Sequence, residues 1–364
     1  MSRFTFLLLG GLLHLSFGAA VTKPDQSQFV NAKVEARDAA QGLEQTVEQI
    51  AAESQQPLWL AYEVAAVGGK DSSSCCDYRT DEHSPYCGIC NLEKSYGKTT
   101  VQQSANQNPA LKLEQLTQVT VLLRIEQNHV MRIREVSPDC QLDAGGLRVI
   151  WLSRAKPAES VALLTHFVSR NEPERNELTN QSLVAIAQHA DSSADRALAD
   201  FVAPDQPLWL QEKASFWLGA ARGKTGLALL ENMAKNDPSG HLREKVAFAM
   251  FVSQEPQAAD DLIHMAKDDP ESHVRGQALF WLAQKAGQKA SATIAGAIQN
   301  DPDTEVKKKA VFALSQMPKD EGVPKLIEVA QNNKNPEVRK QAMFWLGQSN
   351  DPRALAFFER ILSQ

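Results

Sequence analysis

"VRKQAMFWLGQ" occupies residues 338–348, and "VRGQALFWLAQ" occupies 274–284, 64 residues earlier. Moving from Val338 toward the N-terminus in steps of 32 meets Val306, Val274, Leu242, Leu210 and Leu178. Four residues after each of these come Ala342, Ala310, Ala278, Val246, Ala214 and Ser182, and eight after come Leu346, Leu314, Leu282, Met250, Leu218 and Ile186. Six copies in one register with no insertion mark an internal repeat. Numbering each copy from its Val or Leu, the apolar positions are 1, 5, 8, 9 and 12. That is helical spacing, so each unit opens on an amphipathic helix.

A second, shorter helix follows, as in "GLALLENMAKNDP" (226–238) and "AADDLIHMAKDDP" (258–270). Its apolar positions hold Leu230, Leu262, Ile294, Leu326 and Phe358, then Met233, Met265, Ala297, Val329 and Ile361. Asp237-Pro238, Asp269-Pro270 and Asp301-Pro302 end the pairs, because proline disfavours helix in the residue before it and cannot continue one. A helix pair of this size cannot bury its apolar stripe alone. Stacking six pairs makes one continuous core, so residues 178–364 are expected to form an α-solenoid of 32-residue helix pairs.

The Val-Arg-x-x-Ala opening followed by Leu and a small residue resembles the short HEAT-like repeats first described in phycobilisome lyases. The resemblance covers about half of the chain. It implies a superhelical scaffold and, in that family, mostly protein-binding work; a lyase of the phycobilin-lyase type is the alternative it carries. Arg243, Arg275 and Arg339 fall at the family's second-position arginine, while Lys307 is conservative and Gln211 and Thr179 depart. An arginine there reaches the Asp of a neighbouring inter-repeat turn, a structural role.

Two further positions are informative. Position 8 reads Ala185, Trp217, Ala249, Trp281, Ala313, Trp345. Alternation of large and small suits a close-packed interior that conserves volume, and it predicts buried tryptophans. Position 7, commonly charged in related repeats, holds Phe216, Phe248, Phe280, Phe312 and Phe344. On a helical wheel this position lies off the apolar stripe. The five rings therefore form either an apolar ridge for a protein partner or the packed flanks between repeats.

Residues 1–20 have one basic residue, Arg3, an apolar run from Phe4 to Phe17 and the small residues Gly18, Ala19 and Ala20. That is a secretory signal pattern, with cleavage expected after Ala20 and an exported, periplasmic or secreted, mature chain. The run is shorter than a membrane span needs, and none follows later. The net charge of −6 offers nothing to a nucleic acid.

Residues 21–177 do not follow the repeat and read as a small α+β domain. "FVNAKVEARDAAQGLEQTVEQIAAES" (29–54) reads as one amphipathic helix; 57–67, 117–127, 130–137 and 147–152 read as strands, with a hairpin across Gln127-Asn128-His129; and 157–168 reads as a helix. "SPDCQLDAGG" (137–146) reads as a loop joining strands. The pentapeptide Gln-Pro-Leu-Trp-Leu occurs at both 56–60 and 206–210, in unrelated contexts.

All five cysteines lie in this half: Cys75, Cys76, Cys87, Cys90 and Cys140. Three readings stay open. Structural disulfides suit an exported chain. Cys76, His83, Cys87 and Cys90 are a ligand set that zinc accepts, at a spacing that matches no standard finger. Cys87 and Cys90 form a Cys-x-x-Cys pair for thiol–disulfide exchange, although no helix follows to lower a thiol pKa. Catalytic signatures are missing: there is no Gly-rich phosphate loop, no Gly-x-Ser-x-Gly and no His-Glu-x-x-His. The histidines are scattered, and exposed helix positions account for them. No catalytic, cofactor or metal residue is assigned, and the expected function is a non-enzymatic scaffold for protein–protein contact.

Overall fold

The computed structural model describes residues 28–68, 90–94, 117–138, 140–171 and 176–363. The N-terminal part contains β1 (Phe29–Val30), β2 (Lys33–Asp38), α1 (Leu43–Glu53), β3 (Leu58–Ala65), β4 (Cys90–Asn91), β5 (Gln118–Glu126), β6 (His129–Val136), β7 (Leu142–Asp143), β8 (Arg148–Ser153) and α2 (Pro157–His166). The main sheet runs β2-β8-β3-β5-β6, and a small second sheet runs β1-β7-β4. The β5–β6 hairpin turns at Gln127 and Asn128, both at positive φ (50° and 65°), the twist that a two-residue turn requires.

The main sheet is covered on both faces, which explains its near-continuous apolar strands. Leu58, Leu60, Tyr62 and Val64 face one cluster with Val121 and Leu123 and the helices. The intervening Trp59 and Ala61 join Leu122, Val149 and Trp151 against β1, β4 and β7. Helix α1 buries Leu43, Val47, Ile50 and Ala51 on one stripe.

One expectation fails here. The stretch 29–54 is not a single helix: its first part pairs as β1 and β2, and only Leu43–Glu53 is helical. Lys33–Asp38 pairs in parallel with the whole of β8, and its charges are used at the sheet edge, where Arg148 meets Glu35 at 3.3 Å. A polar, alternating edge strand carries little apolar signal, and tertiary pairing decides it.

Six helix pairs follow: α3 (Glu177–Gln188) and α4 (Ser192–Phe201), α5 (Leu208–Ala221) and α6 (Gly223–Asn236), α7 (Gly240–Val252) and α8 (Ala258–Asp268), α9 (Ser272–Ala286) and α10 (Gln288–Asn300), α11 (Thr304–Ser315) and α12 (Lys319–Asn332), α13 (Pro336–Gln348) and α14 (Pro352–Leu362). The chain is an α-solenoid of HEAT-like helix pairs preceded by a small α+β region. The apolar positions read from the sequence are its core: Leu210, Leu242, Val274, Val306 and Val338 are all buried, as are Leu230, Leu262, Ile294 and Leu326. The last helix departs by one residue, since α14 buries Phe357 and leaves Phe358 half-buried and Ile361 exposed.

The α+β region and the solenoid share one apolar cluster, running from Ala39 to Phe357. Edge strand β6 is met by α3, where the Ile133 amide donates to Gln181 Oε1 at 2.7 Å. That contact occupies a donor on the open edge of the sheet. No helix among the described residues is long and apolar enough to cross a membrane.

Candidate interaction surface

Successive repeats are tied through their turns. Arg243 Nη1 donates to the Asp237 carbonyl at 2.8 Å, while Nε and Nη2 grip the Asp269 carboxylate at 2.7 and 2.9 Å. Arg275 repeats this one unit on, donating to the Asp269 carbonyl at 2.9 Å and to the Asp301 carboxylate at 2.8 and 3.0 Å. The same aspartates accept from the backbone two residues ahead, Glu271 N and Asp303 N, both at 2.9 Å. Each arginine thus staples two consecutive turns through a bidentate, buried ion pair. These hydrogen bonds to Asp269 and Asp301 raise the pKa of the two arginines further. At the next unit Lys307 stands in the arginine position and Asn333 in the aspartate position, and Lys307 donates to the Gln299 carbonyl instead.

On the first helices, position 7 and position 8 build a ladder of rings. Phe216 contacts Trp217 at 5.0 Å between centroids and stacks on Phe248 at 5.9 Å. Phe248 meets Trp281 at 4.8 Å, and Phe251 stacks on the same indole at 4.8 Å. Trp281 leads to Phe280 at 4.7 Å, and Phe280 stacks on Phe312 at 5.6 Å with planes 6° apart. Phe312 meets Trp345 at 4.8 Å, and Trp345 meets Phe344 at 5.0 Å. The contacts run unbroken from α5 to α13. Offset and edge-on pairs at these distances are favourable beyond the area they bury.

The ladder is neither wholly inside nor wholly outside. Phe216, Phe248, Phe280 and Phe312 are half-buried, and Phe344 on the last pair is 53% exposed. The rings thus pack across repeats, as one reading of position 7 has it, while part of their surface stays outward. The tryptophans correct the interior reading of position 8. Ala185, Ala249 and Ala313 are fully buried, whereas Trp217, Trp281 and Trp345 are half-buried and Trp281 and Trp345 lean onto the phenylalanines of the preceding unit. The alanines serve close approach instead. A Cβ placed on Gly219 would sit 2.1 Å from the Ala249 carbonyl oxygen, so these two backbones nearly touch. Stacking the indoles leaves the N–H groups of Trp281 and Trp345 buried with no hydrogen-bond acceptor among the described residues.

A second constellation lies where the sheet joins the solenoid. His189 Nδ1 lies 2.6 Å from the Ala185 carbonyl, so that nitrogen carries the proton and donates. Nε2 then accepts from the Ser160 hydroxyl at 2.8 Å, which in turn accepts from Tyr62 Oη at 2.8 Å. The chain joins β3, α2 and the C-terminal end of α3. Arg222 closes it from α5, donating to the Ala187 and His189 carbonyls at 2.9 and 2.6 Å and to Asp195 at 2.8 Å. Burial lowers the His189 pKa from 6.5 to about 4, and burial also pushes the Tyr62 hydroxyl upward. Ser160, His189 and Tyr62 are all fully buried, so this serine–histidine contact faces no solvent. The sequence reading placed histidines on exposed helix positions. His189 does not fit, and its signal was its repeat position, 12, which is otherwise Ala221, Ser253, Lys285, Met317 and Ser349.

Of the cysteines, Cys90 and Cys140 are described, and both are fully buried in the apolar cluster beneath the main sheet and disulfide-bonded. The segment around Cys90 is held by polar contacts: Trp59 Nε1 donates to Glu93 at 2.7 Å, and Arg124 Nε and Nη2 grip the same carboxylate at 2.9 and 3.0 Å. A disulfide-bonded Cys90 offers no thiolate to a metal. Cys75, Cys76, Cys87 and His83 lie outside the described residues, as do residues 1–20. Among the described residues no group of His, Cys, Asp and Glu is placed to hold a metal ion.

A family model agrees with the repeat frame over the last part of the chain. Residues 291–364 match the family model described as HEAT repeats. Among solved structures, human deoxyhypusine hydroxylase in complex with glycerol is similar over 56% of this chain and 90% of its own, at 14% identity and a TM-score of 0.27. The complex of CpcE and CpcF of phycocyanin lyase from Nostoc sp. PCC7120 is similar over 56% of this chain and 80% of its own, at 17% identity and a TM-score of 0.29. A comparison with curated proteins gives no match.

Proposed function

We propose that this chain is an exported, non-enzymatic HEAT-like scaffold that binds a protein partner along the aromatic ladder of its first helices. One observation carries the reading: nine aromatic side chains in unbroken contact across five repeats remain partly exposed, ending at Phe344. Half-exposed aromatics in a continuous row are the composition of a protein interface core. Export is supported by the charged, apolar and small-residue order of residues 1–20 and fits disulfide-bonded cysteines, which persist in oxidising compartments. The non-enzymatic reading is supported by the burial of the Ser160–His189 contact.

The test is site-specific photocrosslinking in the source cell. A photoreactive residue at Met343, beside the ladder, should give discrete protein adducts, and one at the exposed Lys267 on the second-helix side should give none. Adducts from Lys267 alone, or none from Met343, would remove the ladder as the binding surface. Recovery of the crosslinked chain from the cytosol with Met1 intact would remove export.

A further inference from the structure

The polar rim of the ladder changes character along its length. At positions 3 and 4, α5 and α7 carry Glu212 with Lys213 and Glu244 with Lys245. Glu212 is already shared between His241 at 2.8 Å and Lys245 at 3.9 Å, so charges there are largely matched in place. The same positions on α11 and α13 hold Lys308 with Lys309 and Lys340 with Gln341. Lys308 pairs with Glu305 at 2.8 Å. Lys309 and Lys340 are exposed and have no ion pair among the described residues. Position 3 of α9 is Gly276, and the Lys309 stem lies against it: a Cβ there would come within 2.3 Å of Lys309 Cδ. The missing side chain lets this lysine reach back from α11 over α9.

Beside Lys308 and Lys309 the ladder opens. Phe312, Trp345, Gln341, Lys308, Lys309 and Glu305 line a recess of about 270 Å³, open to solvent. Its walls are two ring systems and its rim is cationic, with its one carboxylate already committed to Lys308. Apolar walls favour an apolar side chain, and unpaired ammonium groups favour carboxylates beside it. A chain with a net charge of −6 and two lysines lining the recess falls short of the phosphate contacts on which nucleic-acid affinity rests, which leaves a polypeptide.

We infer that this end of the ladder takes an acidic peptide segment: an apolar side chain seats in the recess against Phe312 and Trp345, and neighbouring carboxylates meet Lys309 and, on α13 beside Gln341, Lys340. The inference rests on the ladder being the protein-binding surface, and adds the partner's chemistry.

Fluorescence anisotropy of the purified full-length protein tests it with two labelled peptides. They share a Leu-Phe core, one flanked by glutamates and the other by lysines. The acidic peptide should bind at least about tenfold more tightly, the difference that two modest ion pairs supply. The preference should shrink as ionic strength rises and the Debye length shortens. Lys309→Glu with Lys340→Glu should reverse it, and because both side chains are exposed the double variant should melt with the parent. Equal binding of both peptides, no binding of either, or a preference untouched by the double variant would overturn the inference. So would capture on anionic vesicles in place of the peptide. Any of these with the Met343 adducts intact leaves the scaffold reading standing; loss of those adducts removes both.

Discussion

Acidifying the protein from neutral pH to about pH 4 should weaken the joint between sheet and solenoid, with His189 the responsible group. In the folded chain its pKa is about 4, against 6.5 for the free side chain, because burial opposes the charged form. Above pH 6.5 the ring is neutral folded and unfolded, and contributes no pH dependence. Between 6.5 and about 4 the unfolded chain takes up a proton that the folded chain refuses, so stability falls as pH falls. A gap of this size corresponds to about 3 kcal/mol, at roughly 1.4 kcal/mol per tenfold change in binding. Geometry explains the refusal. A proton on Nε2 would meet the proton that the Ser160 hydroxyl donates to that nitrogen, and the nearby Arg222 adds a like charge that Asp191 only partly offsets. The assay is urea denaturation across this pH range for the parent and for His189→Gln. The variant should be less stable at neutral pH, having lost a buried hydrogen bond, yet its stability should decline less on acidification. Parallel pH profiles for the two chains, or a His189 ring that titrates near 6.5 by NMR, would refute the reasoning.

Asp301→Ala should destabilise by about 3–5 kcal/mol in denaturant, because it leaves the buried Arg275 guanidinium without its counter-ion, whereas the joint replacement Arg275→Met with Asp301→Leu should cost far less. Asp261 has a pKa raised to about 6 by burial and by Glu231, so it binds its proton more tightly folded than unfolded; Asp261→Asn should raise the melting temperature near pH 8 and leave it unchanged near pH 3. Gly219→Ala should cost about 1–3 kcal/mol, since its Cβ meets the Ala249 backbone, while Gly347→Ala at the same repeat position has nothing within 4 Å and should be neutral or stabilise by up to about 1 kcal/mol; equal effects would mean that the repeats do not stack as described. Phe280→Ser with Phe312→Ser should lower stability by about 3 kcal/mol, as expected for stacked, half-buried rings, and an unchanged midpoint would make the ladder a purely surface feature.

The two halves of the chain differ in how much of them can be read without coordinates, and Gln-Pro-Leu-Trp-Leu shows why. At 56–60 it enters strand β3; at 206–210 it opens helix α5. Local preference is the same in both. In the first copy, β5 and β8 on either side decide; in the second, the 32-residue frame does. Strand β2 is hidden in the sequence for the same reason, because its parallel partner β8 lies far along the chain and leaves no mark on Lys33–Asp38 itself.

In the solenoid, by contrast, contacts between neighbouring units recur at a fixed offset, so a tertiary interaction becomes a pattern in the sequence. The arginine of position 2 and the turn aspartate 26 places on recur in two successive units, Arg243 with Asp269 and Arg275 with Asp301, and both are replaced in the next, Lys307 with Asn333; Gln211 with Asp237 keeps the aspartate alone. Either residue alone looks like surface charge; the pair, repeated, is a buried clasp. The ladder obeys the same logic at an offset of 32 or 33, linking Phe216 to Phe248, Phe248 to Trp281, Phe280 to Phe312 and Phe312 to Trp345. This offset alternates because the indole of every second unit takes the place that a phenylalanine takes in the other, and the 64-residue period of the opening stretch is the trace of that alternation. Each rung so linked gives part of its apolar surface to its neighbour and keeps the rest outward, and Phe344 keeps the most, at 53%.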